Sequence, residues 1–75
     1  MNKLQLSLSR ESAALERVMR LVRHRGFALL EARLSQGDDR QLLCLHLAGE
    51  RPLNLLTAQL SRLPDVLSLN EEEER

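Results

Sequence analysis

The stretch LERVMRLVRHRGF, at residues 15–27, restricts the fold of this chain more than any other feature. Its apolar residues recur at i, i+3, i+4 and i+7, the spacing that places side chains on one face of an α-helix. They are Leu15, Val18, Met19 and Val22. Gly26 can adopt the left-handed conformation that ends a helix, and Phe27 then begins an apolar extended segment. The stretch therefore predicts a helix that ends near Arg25 and leads directly into a strand.

The length of the chain, 75 residues, allows one domain. A domain of this size buries only about 60 % of the surface that its unfolded chain exposes, so burial against a partner is favourable. Cys44 is the only cysteine, which rules out an internal disulfide and is typical of a reducing intracellular compartment. No apolar run is long enough to span a bilayer. We therefore expect a cytoplasmic protein that does not enter a membrane.

The charges of the chain balance, with 11 basic and 11 acidic side chains. No overall electrostatic field therefore favours nucleic acid or an anionic membrane. Phe27 is the only aromatic residue, so the chain has no platform on which bases could stack. We expect neither nucleic acid nor a membrane as a partner.

The segments around the first helix have strand patterns. Residues 3–9 alternate between leucine and polar side chains, which is typical of a half-buried strand. Ser12 is the predicted N-cap of the first helix, and Glu11 lies near the positive end of its dipole. Residues 27–34 and 41–47 form a predicted hairpin around the turn sequence QGDD. The run LLCLHL in the second of these strands is apolar on nearly both faces, which indicates a central strand.

The second helix is predicted to begin at Pro52, as its first helical residue, and to end at Pro64. Its apolar stripe consists of Leu53, Leu56, Leu60 and Leu63. Residues 65–69 form a short last strand, and residues 71–75, EEEER, are too polar and like-charged to pack.

The resulting order, βαββαβ, predicts an α+β, ferredoxin-like domain over residues 1–70, followed by a flexible acidic tail over residues 71–75. In this fold a four-stranded antiparallel sheet carries both helices on one face, and the first and third strands are central.

Catalytic residues are not indicated by any spacing in the sequence. His24 lies on the outer face of the first helix with no nucleophile near it, and the scattered carboxylates show no paired arrangement. His46 and Cys44 share one strand face, but two ligands are fewer than the four of a structural zinc site, so they belong to the sheet surface. We therefore expect a protein without catalytic residues, a bound metal or a cofactor.

Other activities known for this topology lack their signatures here. An RNA-binding domain needs aromatic residues on its central strands, and a metal chaperone needs a pair of cysteines. A small phosphatase needs a glycine-rich anion loop after the first strand, and the sequence SRES at that point is no such loop.

Basic side chains on the outer face of the first helix allow three interpretations; they are Arg17, Arg20, His24 and Arg25. Phosphate binding is disfavoured by Glu11 and Glu16 in the same region. Pairing of Glu16 with Arg20 at i, i+4 fits a solvated face. The third interpretation, a possible surface for a protein partner, stays open.

Two motifs, RVMRLVRHRGF and QLSRLPDV, give the chain a resemblance to a known family. With the strand, hairpin and helix that accompany them, they resemble the small regulatory subunits of acetolactate synthase, especially the short isozyme II type. The resemblance covers nearly the whole chain. These subunits are ACT domains, βαββαβ modules that sense amino acids, so the implied fold agrees with the one predicted above.

The resemblance implies an accessory role. Such subunits bind and activate a catalytic subunit that uses thiamine diphosphate, FAD and Mg in branched-chain amino acid biosynthesis, so these cofactors would belong to the partner and none to this chain. A freestanding ACT-domain module that senses an amino acid and regulates another enzyme is the alternative.

An exposed sheet edge and a bare face with Leu42 or Leu43, Cys44 and His46 also predict a homodimer formed by edge pairing.

The family holds its amino acid effector in the loop after the first strand, where a glycine and an asparagine are typical. The corresponding residues of this chain are Arg10, Glu11, Ser12, Ala13 and Ala14. Ala13 stands near the glycine position, where its methyl group restricts approach to the backbone, and the loop has no asparagine. The resemblance therefore implies that valine binds weakly or not at all, with activation of the partner retained.

Overall fold

The strands and helices follow one another as in a βαββαβ domain. A computed structural model describes residues 2–72. Within them the chain forms β1 (Asn2–Leu8), α1 (Ala14–His24), β2 (Ala28–Gln36), β3 (Gln41–Ala48), α2 (Leu53–Leu60) and β4 (Val66–Glu72). The strands form one antiparallel sheet in the order β2-β3-β1-β4. The predicted α+β, ferredoxin-like fold, with the first and third strands in the centre, is therefore confirmed.

The core lies between one face of the sheet and the two helices. β1 and β3 direct alternate leucines to this face, because successive side chains of a strand point to opposite sides. Each leucine buried in this way contributes about 1.5–3 kcal/mol to folding. Both helices pack apolar residues on the same face, as predicted. However, α2 ends at Leu60 rather than at Pro64, so Leu63 of the predicted stripe packs against the core from beyond the helix. The core residues of these four elements are Leu4, Leu6, Leu8, Leu43, Leu45, Leu47, Ala14, Val18, Val22, Leu56 and Leu60.

The end of α1 has the predicted glycine geometry. Gly26 has a φ of +84°, in the left-handed region that favours glycine. The N–H of Phe27 then donates to the carbonyl oxygen of Val22 at 3.2 Å, and the Phe27 ring lies in the core. A Cβ at Gly49, just after β3, would lie 2.8 Å from Cδ1 of this ring. Gly49 therefore provides the space that the only aromatic side chain occupies.

The starts of both helices differ from the sequence prediction. Ala13 is the N-cap of α1, with no capping hydrogen bond from a side chain, so the prediction that Ser12 caps this helix is wrong. The backbone itself closes the turn, since the N–H of Ala14 donates to the carbonyl oxygen of Glu11 at 3.1 Å. Pro52 has an extended backbone and is the N-cap of α2 rather than its first helical residue. Neither helix within residues 2–72 is long and apolar enough to cross a membrane.

The last strand is longer than the sequence pattern predicts. β4 continues to Glu72, and Glu71 and Glu72 lie opposite Leu4 and Lys3 of β1. Both glutamates are exposed, so backbone pairing extends the strand without burying their charges. The rest of the predicted acidic tail, residues 73–75, lies outside the described residues.

Candidate functional site

The loop between β1 and α1 contains the five residues predicted to bind an effector. Arg10, Glu11 and Ser12 are exposed, and Ala13 is half-buried. Ala14 is fully buried in the core, and its backbone N–H is already used by Glu11. The backbone amide of Ala14 is therefore engaged within the loop and is not available to a ligand.

Hydrogen bonds also fix the start of this loop to two other parts of the chain. The N–H of Ser9 donates to the carbonyl oxygen of Asp65 at 2.8 Å, and its hydroxyl donates to the Asp65 carboxylate at 3.3 Å. The side-chain amide of Gln41 donates to the Ser9 carbonyl at 2.9 Å. Arg10 donates to the Asp38 carbonyl of the hairpin turn at 2.8 Å. The loop is thus held by Asp65, which directly precedes β4, and by the β2–β3 hairpin.

Asp65 and Arg17 form an ion pair beside this loop. The guanidinium of Arg17 donates to the carboxylate of Asp65, and Asp65 is only 5 % exposed. This hydrogen bond, together with the attraction of the carboxylate charge, raises the pKa of Arg17. Arg17 therefore has a structural partner, and sequence reasoning missed Asp65 because no local spacing connects the two residues.

The predicted partner surface on α1 divides into two pairs of residues. Arg17 is bound to Asp65, and the Nε of Arg25 donates to the side-chain oxygen of Gln59 on α2 at 2.7 Å. Arg20 and His24 are exposed and line a groove beside α1. The structure thus leaves Arg20 and His24 facing outward, while Arg17 and Arg25 also stabilise the packing of α1.

The face of the sheet opposite the helices carries charged and polar side chains. Glu31 and Arg33 of β2 form an ion pair there, with an N–O distance of 3.5 Å. Cys44 is a half-buried free thiol, His46 is half-buried, and Leu42, which the sequence prediction grouped with them, is 39 % exposed. No three potential metal ligands lie together within residues 2–72.

The edge strand β2 is exposed along its whole length. Leu29 and Leu34 lie opposite the buried Leu47 and Leu43, so they belong to the helix side of the sheet. Nevertheless they are 40 % and 41 % exposed, since the helices do not cover this edge. An apolar strip therefore accompanies an edge whose outer backbone groups have no neighbouring strand.

Comparisons with known proteins agree with this fold. A family profile described as ACT domain matches residues 10–69. Acetolactate synthase isozyme 2 small subunits of Escherichia coli K12 and Shigella flexneri are 43 % identical over 54 residues, in a match that covers 69 % of this chain. The match spans 62 % of the length of these curated relatives, which is less than two thirds.

Solved structures show the same fold at low sequence identity. The ACT domain from GTP pyrophosphokinase of Chlorobium tepidum superposes with a TM-score of 0.81 at 10 % identity, covering 95 % of both chains. The C-terminal domain of the MgtC protein from Mycobacterium tuberculosis has a TM-score of 0.73 at 23 % identity, covering 95 % of this chain and 83 % of the other. At these identities the likeness concerns the fold alone.

Proposed function

Because this chain belongs to the ACT domain family, we propose that it is a non-catalytic small subunit that binds and activates an acetolactate synthase catalytic subunit. The observation that carries the proposal is the 43 % identity to the isozyme 2 small subunits over 54 residues. In this role thiamine diphosphate, FAD and Mg belong to the catalytic partner and none of them to this chain. The partner is a branched-chain amino acid biosynthetic enzyme of the cytoplasm, so we propose that the chain acts there.

The proposal is tested by co-purification. A tagged form of this chain is mixed with the acetolactate synthase catalytic subunit of E. coli isozyme 2, with the E. coli small subunit as the positive control. We expect this chain to retain the catalytic subunit on the column. Failure to do so under conditions in which the E. coli small subunit succeeds would contradict the proposal.

We also propose that the chain forms a homodimer through β2. The outer edge of this strand has backbone groups without a neighbouring strand and has exposed leucines. Two-fold pairing would give these backbone groups hydrogen-bond partners and would cover the leucines. The opposite edge, β4, ends in Glu71 and Glu72, and charged side chains disfavour edge pairing. Antiparallel pairing centred on Ala32 would bring Glu31 of one copy opposite Arg33 of the other, a favourable cross-strand pair.

For the amino acid effector, we propose weak or absent binding of valine. The amide of Ala14 is engaged within the β1–α1 loop, and Ser9 and Arg10 hold that loop to β4 and to the hairpin. Ala13 adds a methyl group near the position where a ligand would approach the backbone. The proposal retains activation, since it assigns partner binding and effector binding to different surfaces of the domain.

A further inference from the structure

A groove lies between α1 and the segment that follows α2, and none of residues 10–14 of the effector loop and no residue of β2 lines it. Leu21 and Leu63 line it, and both are half-buried residues that pack against the core beneath. Arg17, Arg20 and His24 complete its lining. Its surface is therefore apolar, with cationic and imidazole groups around it.

A second depression adjoins the first where α1 ends and α2 begins. His24 lines both depressions, and Leu55 and Arg51 belong to the second. Leu55 is 56 % exposed, more than any other large apolar side chain in the described part of the chain. The two depressions together are called the helix-face groove below.

The charge around the helix-face groove is positive. Arg17, which is paired with Asp65, lines the two depressions together with Arg20 and Arg25, and no carboxylate among residues 2–72 lines either of them, although the chain as a whole has equal numbers of basic and acidic groups. Arg51 adds another cation at the second depression. The excess is thus a local property of this surface, which attracts carboxylates and repels basic segments.

We propose that the helix-face groove is the docking surface for the catalytic subunit, through a partner segment that presents an apolar side chain flanked by carboxylates. The apolar side chain enters the first depression against Leu21 and Leu63, and the continuing segment covers Leu55 in the second. Burial of these apolar contacts supplies most of the binding free energy. The carboxylates meet Arg20 and Arg51 at the rim. This inference rests on the proposed function, whose partner it places on one face of the domain.

A polyanion such as RNA fits the helix-face groove less well than a protein segment. Phosphate recognition needs several donors that converge on one group, whereas the guanidinium of Arg17 is bound to Asp65 and that of Arg25 to Gln59. An apolar lining with an exposed leucine also offers a phosphate nothing to bind. An apolar protein side chain uses both features.

Two variants test the docking surface by the dissociation constant for the E. coli isozyme 2 catalytic subunit. The first, Arg20→Glu with His24→Glu, reverses charge at the rim, and the second, Leu55→Asp, places a carboxylate on the exposed leucine. Each is expected to weaken binding by about tenfold or more. All three positions are exposed, so circular dichroism and thermal unfolding should confirm that the fold is kept.

Matched controls lie on other surfaces. Leu67→Asp changes a leucine of β4 that is 51 % exposed, and Arg40→Glu reverses a charge in the hairpin turn; both should bind within about twofold of wild type. Raising the salt from about 0.1 M to about 1 M shortens the Debye length from about 10 Å to about 3 Å. The higher salt concentration should weaken binding of the catalytic subunit by wild type. The charge-reversed variant should lose less affinity.

The outcomes separate this inference from the function on which it rests. If wild type binds the catalytic subunit and both groove variants bind it as tightly as wild type, the docking surface is wrong and the proposed function stands. If wild type does not bind, both are overturned. If the groove variants change the mass of the free protein in solution and leave partner binding unchanged, a second copy occupies the groove, which also overturns the inference.

Discussion

Asp65 is a buried residue that holds the start of the effector loop and α1 together by hydrogen bonds. Its carboxylate accepts hydrogen bonds from Arg17 and Ser9, and its backbone carbonyl accepts the Ser9 N–H. These partners are 48 and 56 residues away along the chain. Periodicity and motif spacing operate over one turn or one strand, so a contact that depends on the assembled fold could not be predicted from them.

Gly49 offers a direct test at the residue scale. A methyl group there would lie 2.8 Å from the Phe27 ring, so Gly49→Ala should lower the free energy of unfolding by about 1–3 kcal/mol, as overpacking usually does. In a domain of this size each kcal/mol lowers Tm by roughly 4–8 °C. Glu50→Ala, at the exposed neighbour, is the control and should change stability by no more than about 0.5 kcal/mol. An unchanged Tm for Gly49→Ala would mean that the ring does not depend on this space.

At the scale of helices and strands, the sequence predicted elements that have an apolar pattern and missed features that depend on backbone hydrogen bonds. The leucine alternation of β1 and the apolar stripe of α1 were correctly predicted. An element that buries one face has apolar residues at a regular period in its sequence. The extension of β4 to Glu72 was missed, because the exposed glutamates add no apolar residue to the pattern. The strand continues there because its backbone pairs with β1. The start of α1 was misjudged at Ser12, because its first turn is closed by backbone groups.

The β1–α1 loop gives the prediction that belongs to this scale. A ligand at 100 times its Kd stabilises a protein by about 2.7 kcal/mol, which would raise Tm by several degrees in a domain this small. We expect millimolar valine, leucine or isoleucine to leave Tm unchanged, because the loop is pinned by its own hydrogen bonds. A shift of several degrees that Ser12→Ala abolishes would identify the loop as a working amino acid sensor.

The whole molecule presents three surfaces with different chemistry. The helix face is basic and partly apolar, the opposite sheet face carries polar and charged side chains with the exposed Leu42, and the β2 edge combines unpaired outer backbone groups with exposed leucines. The number and order of the elements were predictable from the sequence, but the exposure of Leu29 and Leu34 was not, since they have the same residue type as the core. Which leucines remain at the surface depends on where the helices lie over the sheet.

A charge swap tests the proposed dimer at this scale. Arg33→Glu would place glutamates opposite each other when two β2 strands pair around Ala32, so it should weaken the dimer. The double variant Glu31→Arg with Arg33→Glu restores opposite charges across the pair and should recover the dimer mass. Light scattering at micromolar concentration measures both, with Arg40→Glu as the control. A wild-type mass equal to the monomer would contradict the dimer, and equal masses for both variants would exclude this register.

The most direct test of the central claim is a titration of an acetolactate synthase catalytic subunit with this chain. The E. coli isozyme 2 catalytic subunit, saturated with thiamine diphosphate, FAD and Mg, is assayed for acetolactate formation as the chain is added. We predict that the rate rises and saturates, and that the chain alone forms no acetolactate. A rate that stays at the level of the catalytic subunit alone, while the E. coli small subunit stimulates the same preparation, would contradict the account.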